Sequence, residues 1–208
     1  MHKKGLFITI EGIEGGGKST QTKLLADYLE NKGYEVVNTR EPGGSEGAES
    51  IRELLINGSV DKWDGITELL LMFAARRDHV EKKIKPALLR GKIVICDRFY
   101  DSSYAYQGHG HNMDLAKIDK IKEVTVGNFK PDLTFVLDLD VREGINRKQN
   151  QNEKNRFEDM NYGFHERVRA GFLEICKKEN ERCMIINSQK NSIDEIHNII
   201  IKKIEKTL

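Results

Sequence analysis

The stretch from Gly5 to Thr20, "GLFITIEGIEGGGKST", decides how this chain folds. Its first half is an apolar, β-prone run, and its second half fits G-x-x-x-x-G-K-[ST] with Gly12, Gly17, Lys18 and Ser19 in register. Glycines at these places let successive backbone N–H groups converge on phosphate oxygens, and a helix starting near Lys18 adds the positive end of its dipole. Lys18 would then reach the outer phosphates while the Ser19 hydroxyl ligates Mg²⁺. The residues expected to hold a nucleoside triphosphate are therefore Gly12, Ile13, Glu14, Gly15, Gly16, Gly17, Lys18, Ser19 and Thr20. A glycine-rich turn without a ligand is the plainer reading, but it leaves the strand before the loop unexplained. The motif does not by itself separate ATPases, GTPases and kinases.

Composition narrows the class. With 208 residues and 38% hydrophobic content the chain can bury one good core, so a single domain over 1–208 is expected. Lys plus Arg number 34 against 33 Asp plus Glu, which gives no basic excess for nucleic acid or an anionic membrane and favours a small partner. No run approaches the ~20 apolar residues of a membrane span, and the N-terminus lacks a signal-peptide layout, so a cytoplasmic location is expected. Cys96, Cys176 and Cys183 are odd in number and lack C-x-x-C spacing; they read as reduced core thiols.

Working outward from the glycine loop, β-rich runs alternate with helical patterns, as in parallel βαβ units. Strands are expected at "LFITIE", "EVVNT", "KIVICD", "LTFVLDLD" and "CMIIN". The last helix announces itself by a Ser192/Glu195 capping box, with Ile193, Ile196, Ile200 and Ile204 expected on one face. Another helix, from about Thr67, carries "ELLLMFAARRDHVEKK". Together these give an α/β, three-layer P-loop NTPase fold, a five-stranded parallel sheet flanked by helices, with the ligand at the carboxyl ends of the strands.

The third expected strand ends in "ICDRFYDSSYAYQG", Ile95–Gly108. Asp97 stands where a carboxylate can hold Mg²⁺, but Arg98 follows it, a second phosphate handle where a hydrolase would carry another acid. Ser102, Ser103, Tyr106 and Gln107 then supply hydroxyls, an amide and rings suited to a nucleobase and sugar. Each piece also has a bland reading, a helix cap or an ordinary helical turn.

Taken together, "EGIEGGGKST", "TREPGG", "LLLMFAARRDHV", "DRFYDSSYAYQG" and "RFED" closely resemble the thymidylate kinases of the nucleoside monophosphate kinase group, over essentially the whole chain. The resemblance implies transfer of the γ-phosphoryl group of ATP to dTMP, giving dTDP and ADP on the route to dTTP, with Mg²⁺ as cofactor. Phe73 and Arg77, one helical turn apart, could stack on a base and reach its carbonyl edge, and the family pattern implies that they contact thymine. Arg76 is then left to solvent or an ion pair. The resemblance further implies that Gln107 completes base recognition, that Tyr106 crowds a 2′-hydroxyl, and that Arg52 and Arg98 fork onto the acceptor phosphate, with Arg40 and Pro42 at the rim.

The acceptor's second phosphate pKa is about 6, so no general base is required, and catalysis reduces to positioning and charge neutralisation. Lys18, Mg²⁺ and arginines would supply it, with Glu14 and Arg98 beside them. Family members place one catalytic arginine in the loop or in a mobile lid. Here the residue after Glu14 is Gly15, so the lid, expected at about 146–158, must provide it, from Arg147 and Arg156 jointly. The lid departs from the family's arginine-rich pattern in carrying Gln149 and Gln151. The excess apolar surface of Leu69, Leu70, Leu71 and Met72 suggests a homodimer built on that helix. Two other readings stay open, a related nucleoside or nucleotide kinase and a phosphate-loop switch or partner-regulated ATPase.

Overall fold

In the computed structural model, which describes residues 5–149, 156–157 and 160–208, the chain begins with β1 (Leu6–Glu11). The glycine loop follows, and α1 (Lys18–Asn31) springs from it. Then come β2 (Val36–Arg40), α2 (Glu46–Ile56) and α3 (Gly65–His79). A π-helical turn, Val80–Ile84, carries α3 on into α4 (Lys85–Leu89). After β3 (Ile93–Asp97), a single helical turn α5 (Tyr100–Ser103) runs into a second π-helical stretch, Tyr104–Gly110. The rest of the chain supplies α6 (Leu115–Thr125), β4 (Leu133–Asp138), α7 (Val141–Gln149), α8 (Tyr162–Lys178), β5 (Cys183–Asn187) and α9 (Ile193–Ile204).

The strands form one parallel sheet in the order β2-β3-β1-β4-β5. Strand order reverses beside β1, because the first crossover passes over β3's place while later ones run the other way. That switch opens a crevice at the carboxyl ends of β1 and β3, where both the glycine loop and the Asp97–Arg98 turn lie. Side chains alternate along β1. Leu6, Ile8 and Ile10 pack with Leu25 and Leu29 of α1 and with Ile196, Ile200 and Ile204 of α9. Phe7, on the other face, joins Val94, Cys96, Leu69, Phe73 and Ile118.

Two helix expectations are refined. The long helix starts at Gly65, capped by Asp64 Oδ1, which accepts from the backbone N–H of Ile66 and Thr67. The last helix has its capping box, but Ile193 is 56% exposed, because as the first helical residue it lies at the open rim while Ile196, Ile200 and Ile204 face the sheet. The three cysteines are free and buried. Among the described residues no helix is long and apolar enough to cross a membrane.

Candidate active site

Two cavities meet at the start of α1. The first is bounded by Gly15 to Gln21 on one side, by Arg147 of α7 on another, and by Ser188, Asn191 and Ser192 after β5. Gly15 has φ +76°, and a Cβ there would lie 2.6 Å from the carbonyl oxygen of Gly144, so only glycine lets the loop pass this close to α7. Gly17, at φ +93°, is the residue from which α1 springs, leaving the first amides of the helix open. The wall after β5 was not foreseen in the sequence. Its signal was there, since Ser188–Ser192 follow the carboxyl end of a parallel strand.

Lys18 and Ser19 line both cavities. Lys18 is buried, its Nζ donating to the Ile13 carbonyl at 2.8 Å. Burial, with the Arg98 charge next, brings its ammonium down to about 8, against the pull of Asp97, Glu14 and Glu11. The Ser19 hydroxyl donates to Asp97 Oδ2 at 2.9 Å, so the two groups expected at a cation stand side by side. Ile13 lines neither of the two cavities: its side chain is 4% exposed in the core, and it contributes its carbonyl to Lys18. Gly12 likewise gives its carbonyl to Arg98 Nη1, at 2.8 Å.

The second cavity lies between α2, α3 and the turn after β3. Arg98 sits at φ +70°, a left-handed conformation uncommon for arginine and a form of strain that concentrates at functional sites. Hydrogen bonds hold it there: Arg98 N to the Ile10 carbonyl at 3.0 Å, and Phe99 N to Glu11 Oε1 at 2.7 Å. The Arg98 guanidinium reaches Glu14 at 2.9 Å and lies 5.0 Å from the centre of the Tyr106 ring. The Tyr106 hydroxyl donates to Glu14, with both carboxylate oxygens at 2.7 Å. Burial would raise the Glu14 pKa, but the Arg98 and Lys18 charges outweigh it and hold the group at about 2. Glu14 therefore belongs to the second cavity, as a fixed anion tying the loop to Arg98.

Across the cavity, Arg52 Nη1 donates to the Pro42 carbonyl at 2.6 Å. Its pKa is lowered by burial and by the charges of Arg40 and Arg98, which marks a place where an anion would be welcome. Ser102 Oγ donates to Glu11 Oε2 at 2.6 Å. Glu11 is the carboxylate the sequence reading missed. Burial first, then the Asp101 charge, push it up to about 8, against the lowering effects of Arg98 and its two hydrogen bonds.

The helix α3 presents a different face from the one expected. Phe73 is fully buried against the sheet, and Arg77 points outward, bonding the Thr125 carbonyl at 3.0 Å and Glu81 at 2.8 Å. Met72 and Arg76 line the cavity in their place. One residue along a helix is a turn of about 100°, so the pair one position earlier, with the same spacing, points into the crevice. Arg76 is buried, with Nε on Glu41 at 2.7 Å, Nη1 on Ser103 Oγ at 3.0 Å and Nη2 on the Phe99 carbonyl at 3.2 Å. Among the described residues these bonds use three of its five N–H donors. Its guanidinium lies 4.5 Å from the Phe73 ring centre, so Phe73 supports the cavity from behind.

The two lid arginines separate. Arg147 stands beside the glycine loop, with Nη1 3.4 Å from the Gly15 carbonyl and Nε 3.0 Å from Glu143. Arg156 is buried away from both cavities, bonded to the carbonyls of Leu55 and Val60 at 3.1 Å each and paired with Glu68. It is an anchor and not a free cation, because every edge of its guanidinium meets a protein acceptor. The expected lid falls partly on 150–155 and 158, with Gln151 and Lys154, outside the described residues; so do the side chains of Lys148 and Gln149.

A family model described as thymidylate kinase matches residues 10–200. The thymidylate kinase of Caulobacter vibrioides is 51% identical over 185 residues, covering 89% of this chain and 89% of that one. That of Wolbachia pipientis wMel is 47% identical over 202 residues, 96% of this chain and 100% of the relative. The crystal structure of thymidylate kinase from Ehrlichia chaffeensis superposes with a TM-score of 0.77 at 41% identity, covering 96% of this chain and 98% of that one.

Proposed function

The chain belongs to the thymidylate kinase family, and from that premise we infer that it is an ATP-dependent dTMP kinase, forming dTDP and ADP in dTTP synthesis. The observation that carries this reading is that Lys18 and Ser19 line both cavities, so a donor in one and an acceptor in the other would meet at the same side chains. A phosphoryl group needs only to be aligned and neutralised there.

On this reading ATP lies along the glycine loop from Gly12 to Thr20, with its outer phosphates at Lys18. Arg52 and Arg98 take the phosphate of dTMP, and Arg76 offers its remaining donors to the carbonyl edge of the base. Met72 and Phe99 supply apolar wall, while Ser102, Ser103, Tyr106 and Gln107 supply the polar contacts and Pro42 the rim. Tyr106, packed edge-on against Phe157 and Phe172, would leave little room beside the sugar for a 2′-hydroxyl. Ser19 and Asp97 suit Mg²⁺, which takes few protein ligands and fills the rest of its shell with phosphate and water. Bound there, it would neutralise charge on the donor phosphates. Arg147 is the lid cation placed to approach them.

The enzyme is read as a single domain over 1–208 with a lid at about 146–158, acting in the cytoplasm on two small substrates without nucleic acid or membrane. A homodimer is the assembly this reading favours. Ile66, Leu70 and Ala74 form an exposed stripe on α3, and Leu70 is 52% exposed. Light scattering at micromolar concentration tests it, a strictly monomeric and fully active 23.8 kDa species being the result against it.

The reaction is tested by ADP formation from ATP and Mg²⁺ with each nucleoside monophosphate in turn. Preference for dTMP with poor use of UMP is expected. Equal turnover of dTMP, CMP and AMP, or slow hydrolysis indifferent to dTMP, would overturn the assignment.

A further inference from the structure

Glu68, in the first turn of α3, is 1% exposed and lines neither cavity, yet three side chains converge on it. Gln107 Nε2 donates to its Oε1 at 2.7 Å, and His111 Nε2 stands 3.6 Å from the same oxygen. The other oxygen takes the Arg156 guanidinium. Arg156 has little freedom to move away, since its backbone N–H also donates to the Ile56 carbonyl at 3.1 Å. Burial would raise the Glu68 pKa, but the nearby His111 ring, the hydrogen bond from Gln107 and the Arg156 charge prevail and lower it. The group is an ionised carboxylate.

An ionised carboxylate can only accept, so the end of the Gln107 amide that faces it must be the NH₂ group. Turned over, the amide would set its oxygen against the carboxylate and leave two buried acceptors face to face. The Gln107 Oε1 therefore has a fixed place on the opposite side. Among the described residues no hydrogen bond reaches it, it is not a sealed orphan, and Gln107 lines the acceptor cavity.

We propose that Glu68 sets the base selectivity of the acceptor site without touching the substrate, by locking the Gln107 amide so that a carbonyl acceptor faces the cavity beside the donors of Arg76. This rests on reading that cavity as the nucleoside monophosphate site. A donor next to an acceptor matches a pyrimidine with a 4-oxo group and an N3–H. Cytosine carries the reverse pattern, a 4-amino donor and a bare N3, and would meet donor with donor and acceptor with acceptor. Sites that hold their polar groups rigidly reject such a mismatch far more strongly than apolar pockets reject an extra methyl. Arg156, towards the end of the expected lid, is then a positioning residue at one remove: it keeps Glu68 charged and in place.

Steady-state kinetics with dTMP, dUMP and dCMP at saturating ATP test the proposal in the wild type, Glu68→Gln, Gln107→Met and the double variant. A glutamine at 68 can present either end of its amide, so Gln107 is free to turn over. In Glu68→Gln the ratio of kcat/KM for dTMP over dCMP is expected to fall about tenfold or more, through KM of the nucleoside monophosphates. The dTMP to dUMP ratio and the KM for ATP should hold, and the double variant should discriminate no worse than Gln107→Met. Equal losses for dTMP and dCMP in Glu68→Gln would overturn the proposal and leave Glu68 a structural residue. Should thermal unfolding show that Glu68→Gln does not fold, Gln107→Met decides alone, an unchanged dTMP to dCMP ratio being the overturning result. A wild type that does not prefer dTMP would sink the functional reading itself, whereas a wild type that does, with an unmoved ratio in the variants, sinks only the role of Glu68.

Discussion

The glycine loop and the acceptor cavity sit on opposite sides of Lys18, yet they are built in different ways. The loop is one contiguous stretch whose function lies in its backbone: Gly15 and Gly17 at positive φ, and a helix start. The acceptor cavity draws Arg52 from α2, Met72 and Arg76 from α3, Arg98 from the turn after β3 and Gln107 from the π-helical stretch beyond it. A contiguous motif carries its geometry with it. An assembled cavity depends on the rotational phase of each helix that borders it, and a phase error of one residue exchanges a wall residue for a buried or exposed one. Arg76 and Arg77 are the instance: neighbours in sequence, one has its guanidinium in the cavity wall and the other faces outward.

The largest expected effect separates the two regions at their junction. Lys18→Ala should lower kcat by about a thousandfold, several kcal/mol of lost charge stabilisation in a closed site, while dTMP still binds. Rapid-quench turnover together with equilibrium dTMP binding checks this, and loss of both would mean the lysine serves the acceptor side as well. Next comes the phase of α3. Arg76→Lys keeps the charge but loses the fork, and should reduce kcat/KM for dTMP about a hundredfold, whereas Arg77→Ala should stay within about twofold. A reversed order would restore the other register of the helix.

A third test contrasts the two lid arginines. Arg147→Ala should cost about tenfold in kcat with little change in melting temperature. Arg156→Met should do the opposite to stability, since removing one partner of a buried pair strands the Glu68 carboxylate at a cost of about 3–5 kcal/mol. Differential scanning calorimetry beside initial rates distinguishes them, and equal melting temperatures would show that Arg156 is not an anchor.

A last test lies in the pH dependence of stability. Glu11 has a folded pKa raised from 4.5 to about 8, so the stability it contributes is fully present below about 4.5 and is lost as pH rises towards 8. Glu11→Gln should flatten the fall in melting temperature across that window. Parallel curves for wild type and variant would show that Glu11 is ionised at neutral pH, held so by Arg98.

By itself the sequence determined the parallel α/β sheet, the strand-loop-helix at Leu6–Asn31, and the pairing of Ser19 with Asp97. These follow from periodicity, glycine placement and strand ends, all local properties. It also brought Arg98, Ser102, Ser103, Tyr106 and Gln107 to one cavity, because the turn after β3 and the helical stretch beyond it are as contiguous as the glycine loop, whereas Arg52, on α2, was reached only through the family resemblance. Tertiary structure alone decided that α3 turns Met72 and Arg76 inward while Phe73 sits against the sheet. A helix with apolar residues from Leu69 to Phe73 in unbroken succession has no sharp stripe to fix its phase, so packing against Phe7, Val94 and Ile118 chose it. Tertiary structure likewise made Arg156 an anchor and Glu11 and Glu68 buried carboxylates, because their partners lie tens of residues away and burial is a property of the assembled fold, not of any one segment.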